Sequence, residues 1–205
     1  MNPLHHPTEA VLADYAAGAL RPAFAIAAAA HIEGCPACRE RVRVLEQVGG
    51  ELMADLPQAE MSDQSLEQAL SRLDRPEAPA PSTARGRVAD RIRFGRKRYV
   101  APGVWVRHAD REAAGKDLLY LLRIPRGLTA VPHGHRGQEF TAVLKGAYAD
   151  EMGTFAAGDF AEFNGGDEHR PSVQGDGECI CMIASEKPML MNTFKGRLVQ
   201  ILTGT

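Results

Sequence analysis

The chain reads as α+β in two domains: a small helical bundle clipped by a structural metal, then a compact metal-binding β-barrel. Three observations predict this. Apolar residues recur at helical spacing up to about residue 72, whereas beyond residue 98 they come in short alternating or continuous runs. Between the two regimes, Asp74 to Gly86 holds three prolines and almost no bulky apolar side chain, which is linker composition. Each half also carries its own set of metal-ligand residue types, thiol with imidazole in the first and imidazole with carboxylate in the second. The expected boundaries are 1–80 for the helical domain, 81–97 for a linker and lead-in segment, 98–195 for the barrel and 196–205 for a terminal strand or tail.

Thr8 suits the N-cap of a first helix carrying Leu12, Tyr15, Ala16 and Leu20. Pro22 fits the first turn of a second, alanine-rich helix from Ala23 to about His31. A third helix starts near Cys35-Pro36, carries Val42, Leu45, Val48, Leu52 and Leu56, and stops at Pro57. Ser62 is placed to cap a short fourth helix with Leu66, Leu70 and Leu73. After the linker, Arg85, Arg87, Arg91, Arg93, Arg96, Lys97 and Arg98 interleave with Val88, Ile92 and Phe94, which suggests an amphipathic strand with a solvated face. Val104–Val106, Leu118–Ile124, Phe140–Leu144, Thr154–Phe163 and Cys179–Ile183, separated by Gly, Pro and Asp-Gly signals, read as barrel strands, with Trp105 in the core.

Composition excludes several classes. At 205 residues, with 44% apolar content and a net charge of -2, no global field favours nucleic acid or an anionic membrane. No apolar run is long enough to span a bilayer, and no basic region precedes an apolar core at the N-terminus, so neither membrane nor export is expected. Four cysteines are too few for a disulfide scaffold. Their arrangement as CxxC beside a histidine and CxC in an apolar run suits a reducing compartment, the cytoplasm.

Cys35 and Cys38, three apart, present both sulfurs to one point from a first helical turn, and a turn at Gly34 can fold His31 back toward them. The fourth ligand is His6 or His5. Zinc is the expected metal, and it ties the N-terminus of a thin-cored unit to the corner between helices 2 and 3. A redox CxxC is disfavoured because no βαβ setting surrounds it. Leu12-x2-Tyr15-x2-Gly18-x-Leu20 followed by His31-x3-Cys35-x2-Cys38 resembles the zinc-binding anti-sigma domain. That resemblance implies a helical bundle that sequesters an extracytoplasmic-function sigma factor from RNA polymerase. It also implies the ligand set His6, His31, Cys35 and Cys38, and a sigma-gripping face on helix 1 at Leu12, Tyr15, Ala16 and Leu20.

In the second half, His133 and His135 point to one face if extended; Glu139 follows a glycine-containing turn, and His169 can come from a neighbouring strand. Gly127-x5-His133-x-His135-x3-Glu139-x6-Gly146 resembles the first cupin motif, and Gly153-x4-Gly158-Asp159 with His169 resembles the second, except that Ala156 stands where a proline is usual. A cupin implies a small β-barrel with a divalent metal inside, and zinc is the first choice. The charged residues considered for its pocket are Arg123 and Glu162.

The two domains in this order resemble the ChrR-type anti-sigma factors. The family implies a non-enzymatic regulator that forms a 1:1 heterodimer with its sigma factor, binds no nucleic acid or membrane directly, and releases its partner under oxidative stress, singlet oxygen or related oxidants, sensed through the cupin. The alternative is a cupin metalloenzyme of dioxygenase or isomerase type with a helical docking domain. Cys179 and Cys181 share a strand face, as buried core or as an oxidant-sensitive pair. Met182, Met189 and Met191 are core filler or oxidation sites.

Overall fold

A computed structural model describes residues 3–73 and 87–191. The linker expected over 74–86 and the terminal segment 196–205 lie outside the described residues, as does the Met191 side chain.

Helix α1 spans Glu9–Ala16, with the Thr8 hydroxyl accepting from Val11 N at the cap. It stops before Leu20, where the apolar spacing had extended it, because Gly18 takes a left-handed φ of 66° that ends the helical path. Helix α2, Pro22–Ile32, starts on its proline as expected, and α3 spans Pro36–Ala54 with Cys35 as its cap. Helix α4 is Ser65–Leu73; Ser62 lies ahead of it and bonds the Ser65 hydroxyl at 2.9 Å. The basic segment begins as a short helix, α5, at Val88–Arg91, rather than as a strand. Glu33 at the end of α2 accepts from Val88 N and pairs with Arg91, which holds the turn closed.

The β region consists of β1 (Arg98–Ala101), β2 (Val104–His108), β3 (Leu118–Ile124), β4 (His133–Gly134), β5 (Glu139–Lys145), β6 (Ala147–Asp150), β7 (Gly153–Ala156), β8 (Phe160–Phe163), β9 (Glu168–His169), β10 (Ser172–Gln174), β11 (Cys179–Ser185) and β12 (Leu190–Met191), with a short helix α6 (Arg111–Ala114) between β2 and β3. They form a six-stranded sheet in the order β1-β2-β3-β11-β5-β8, facing two three-stranded sheets, β10-β6-β7 and β12-β4-β9. This is the barrel that the cupin resemblance implies. The single run read over Thr154–Phe163 is two strands, because the chain turns at Gly158-Asp159 between them.

Both faces of the large sheet are buried. Along β11, Cys179, Cys181 and Ile183 point into the barrel with Tyr120, Val143, Tyr148 and Phe163, while Met182 and Ala184 point outward. The outward face packs against α2 through Ala23, Phe24 and Ala27, all at most 1% exposed. Alanines at the contact let the helix axis approach the strands closely. The other side of α2, with Ala28 and Ile32, packs against Leu12, Cys35, Cys38 and Val42 in the helical bundle. Arg21 fastens the same junction, reaching Asp117 at 2.8 Å and Glu186 at 2.5 Å. Trp105 joins this outer layer half-buried, with the Lys97 ammonium 4.9 Å from its ring centroid, and is not in the barrel core; on β2 it alternates with the inward Val104 and Val106.

Candidate metal centres

The first centre gathers His6, His31, Cys35 and Cys38, whose ligand atoms all lie within 4.8 Å of one another. His6 Nδ1 is 3.4 Å from each sulfur, and His31 Nε2 is 3.3 Å from Cys38 Sγ. His5, the other candidate, turns away to stand 3.4 Å from Asp159 and 4.4 Å, centroid to centroid, from the Phe155 ring. The tautomer of His31 follows from its neighbour: the Gly158 carbonyl can only accept, so Nδ1 donates to it at 2.6 Å and Nε2 presents its lone pair to the sulfurs. Burial pushes the His31 pKa below its usual value, which keeps the ring neutral. Burial, with Cys35 alongside, pushes the Cys38 thiol up to about 12, so a cation is needed to hold the thiolate.

The second centre brings together His133, His135 and His169, all buried. Their Nε2 atoms converge, with 2.9 Å between His169 and His133 and 3.3 Å between His169 and His135. Tetrahedral ligation at metal–nitrogen distances of about 2.0–2.1 Å would put such atoms about 3.3 Å apart. His133 and His169 face each other across β4 and β9, where they are paired in register. His133 Nδ1 donates to the Val131 carbonyl at 3.1 Å, and His169 Nδ1 to the Asp150 carboxylate at 2.8 Å. Both Nε2 atoms therefore carry lone pairs when the rings are neutral. Burial, with His169 beside it, pushes the His133 pKa down to about 4. Lone pairs aimed at one point in a buried site repel unless a cation lies between them, so the donor set fits a metal.

Glu139 stands behind this trio rather than among it. Its Oε2 approaches His135 Nδ1 to 3.4 Å without hydrogen-bond geometry, leaving both buried atoms unpartnered. An orphaned buried carboxylate is costly without a compensating cation, and this supports the same fit. One strand residue packs the cluster and one turn glycine closes the motif around it. Phe163 stacks on His135 at 5.1 Å and tilts against His169 at 4.3 Å. Gly146 ends the first motif at φ 73°, where a Cβ would collide with the Glu178 carbonyl.

Several expected residues sit elsewhere. Arg123 pairs with Glu178 at 2.8 Å and bonds the Gly103 carbonyl. Glu162 accepts from Thr8 N at 2.6 Å and from the Thr8 hydroxyl, so neither residue faces the second centre. Leu12, 3% exposed, takes the core role, and Tyr15, Ala16 and Leu20 pack half-buried beside it. Cys179 and Cys181 do share a face, with sulfurs 3.7 Å apart inside the barrel. Cys181 is held protonated by its hydrogen bond with Cys179 and by burial. Met182 packs under α2 and Met189 in the barrel core.

Asp150 is the residue that sequence reasoning missed. Its side chain is fully buried, and hydrogen bonds from His169 and from Met152 N hold its carboxyl below the usual range, although burial alone would raise it. The signal was slight: Asp150 lies two residues after the inward Tyr148 and so shares its face of β6, but it also reads as an ordinary turn residue.

The sequence profile of the family described as "ChrR Cupin-like domain" matches residues 97–188. The anti-sigma-E factor ChrR of Cereibacter sphaeroides is 38% identical over 210 residues, covering 96% of this chain and 96% of that protein. Among solved structures, the Rhodobacter sphaeroides SigE in complex with the anti-sigma ChrR superposes with a TM-score of 0.76 at 38% identity, covering 88% of this chain and 98% of that one.

Proposed function

Because this chain belongs to the ChrR family of anti-sigma factors, we propose that it holds an extracytoplasmic-function sigma factor inactive in the cytoplasm, 1:1, and releases it under oxidative stress. The observation that carries this reading is an apolar face with no packing partner among the described residues. Val48 and Leu52 lie along the far half of α3 with Leu56 just beyond its end, and Leu66, Leu70 and Leu73 line one side of α4; each is more than half exposed. None of these residues belongs to the clusters that pack α2 on the barrel and on the bundle. An amphipathic helix pair of this kind is the surface a partner's apolar groove would cover. Tyr15 and Ala16 on α1, and Leu20 beyond its end, add half-buried apolar surface of the bundle.

In this reading the first centre holds zinc through His6, His31, Cys35 and Cys38, two thiolates and two neutral imidazoles, and it ties the bundle that displays the docking face. The second centre holds a divalent metal, zinc by first choice, through His133, His135 and His169, with Glu139 supplying compensating charge beside it. The three imidazoles are no more than 7% exposed, which suits a sensing centre better than one that must admit substrate. Oxidant chemistry at these ligands, or at Cys179 and Cys181, would alter the barrel where α2 and the N-terminal segment rest on it.

The test is transcription by RNA polymerase with the sigma factor encoded beside this gene. The full chain should inhibit at stoichiometric amounts. A double Leu66→Asp, Leu70→Asp variant should lose about 1,000-fold in sigma affinity, as expected when two apolar anchors worth about 2 kcal/mol each are replaced by charge. Absence of inhibition by the wild-type chain would sink the function, and full inhibition by the variant would move the docking face elsewhere.

A further inference from the structure

Resting on the reading of His133, His135 and His169 as ligands, we propose that Asp150 is the positioning residue of the second metal centre: it fixes His169 in the tautomer and orientation that ligation requires and supplies part of the charge that neutralises the bound dication.

The geometry carries the assignment. Asp150 closes β6 at the hairpin with β7, paired with Gly153. One carboxylate oxygen, Oδ1, accepts from Met152 N at 2.9 Å, so the turn backbone fixes the group. The other, Oδ2, receives the His169 Nδ1 proton at 2.8 Å. The side chain has no solvent exposure, and that of His169 has 6%. His169 closes the two-residue strand β9, whose short pairing with β4 does little by itself to fix the ring, so the carboxylate supplies the anchor.

The three imidazoles are anchored differently. His133 rests on a neutral backbone carbonyl, and His135 Nδ1 has Glu139 nearby without a hydrogen bond. Only His169 donates to a buried, hydrogen-bonded carboxylate. A carboxylate behind a ligating histidine fixes the ring and raises its basicity toward the metal. Charge balance points the same way. A dication on three neutral rings would leave two positive charges in the barrel interior, and the buried carboxylates Glu139 and Asp150 are the two negative charges that offset them. Asp150 cannot itself join the ligand atoms while it holds Nδ1, because Nε2 points the opposite way across the ring.

The experiment loads the full chain with cobalt(II) or zinc and measures second-site affinity by competition with a chromophoric chelator. Asp150→Asn and Asp150→Ala are compared with His169→Ala as the reference for a lost ligand. Loss of such a partner is expected to weaken metal binding by roughly 10- to 100-fold in both variants, since asparagine keeps one acceptor oxygen, which can serve the turn or the imidazole but not both. The visible spectrum of cobalt at the second site should shift in both Asp150 variants, while first-site affinity and far-ultraviolet circular dichroism stay unchanged. Wild-type affinity and spectrum in both variants would overturn the role of Asp150. So would equal weakening of both sites with loss of dichroism, which would mark a purely structural residue. If His169→Ala still binds the second metal equivalent, the ligand reading itself fails, and the assignment of Asp150 falls with it.

Discussion

Two carbonyls and a carboxylate decide which nitrogen His31, His133 and His169 offer, and thiol burial decides how strongly the first centre would need a metal. With Cys38 raised from 9.0 to about 12, the metal-free folded chain keeps a proton that the unfolded chain gives up near pH 9. Keeping it favours the fold below pH 9, and that contribution fades as pH rises through 9 toward 12. The urea midpoint of the metal-free chain should therefore fall over this window, while that of the zinc-loaded chain stays nearly flat. At pH near 7.5 zinc must displace thiol protons, and about two protons should be released per first-site zinc. Calorimetry in buffers of different protonation enthalpy reads that number directly. A release near zero would rule out ligation by both thiolates.

At the scale of elements, β8 is the piece that touches both centres. Phe160 at its start lies 5.7 Å from the His31 ring, and Phe163 at its end packs on His135 and His169. Just before it, Asp159 Oδ1 accepts from Leu4 N at 2.7 Å and His5 N at 3.1 Å, while Phe160 N donates to the His5 carbonyl. The segment that delivers His6 is thus laid along the barrel's edge strand. Asp159→Ala removes two backbone N–H bonds to a carboxylate, each worth about 1.5–3 kcal/mol, together with the His5 ring contact and the bond from Ala156 N. It should speed hydrogen exchange at residues 4–8 and weaken first-site zinc by about tenfold, since a ligand must then be ordered on binding. Second-site affinity should hold. Unchanged exchange at those residues would show that the strap is held by other contacts.

The two side-chain clusters were legible because metal chemistry demands particular residue types at particular spacings, although Glu139, expected among the ligands, stands behind the imidazoles; α2 and α3 were legible because proline and apolar period mark them. The docking of α2 was not. Its alanine-rich stretch, Ala27 to Ala30, is apolar on every side, so the sequence marks a helix without saying which faces meet a sheet and which a bundle. The strap was hidden for another reason: Asp159 and Glu162 bond residues more than 150 positions away, and no local pattern announces such a pair.

For the whole molecule, these contacts make two sequence domains into one cooperative body. Helix α2 is a wall of the bundle core on one side and a cover of the sheet on the other, and the Arg21 fork to Asp117 and Glu186 and the Asp159 strap close the same seam. Unfolding the barrel alone would expose Phe24, now 1% exposed, and the apolar strand face beneath it. Unfolding the bundle alone would expose the opposite side of α2. Neither half can open without part of the other's core, so heating the metal-loaded full chain should give a single calorimetric transition with matching van't Hoff and calorimetric enthalpies. His133→Ala or His169→Ala should lower that midpoint without splitting the peak, because stabilisation by bound metal is shared across the seam. The same variants should still inhibit the sigma factor, since the stripe on α3 and α4 lies outside the seam, yet fail to release it on exposure to oxidant. Two separate transitions in the wild-type chain would show that the seam is too weak to transmit a change in the barrel, and a sensing role for the second centre would then need another route to the docking face.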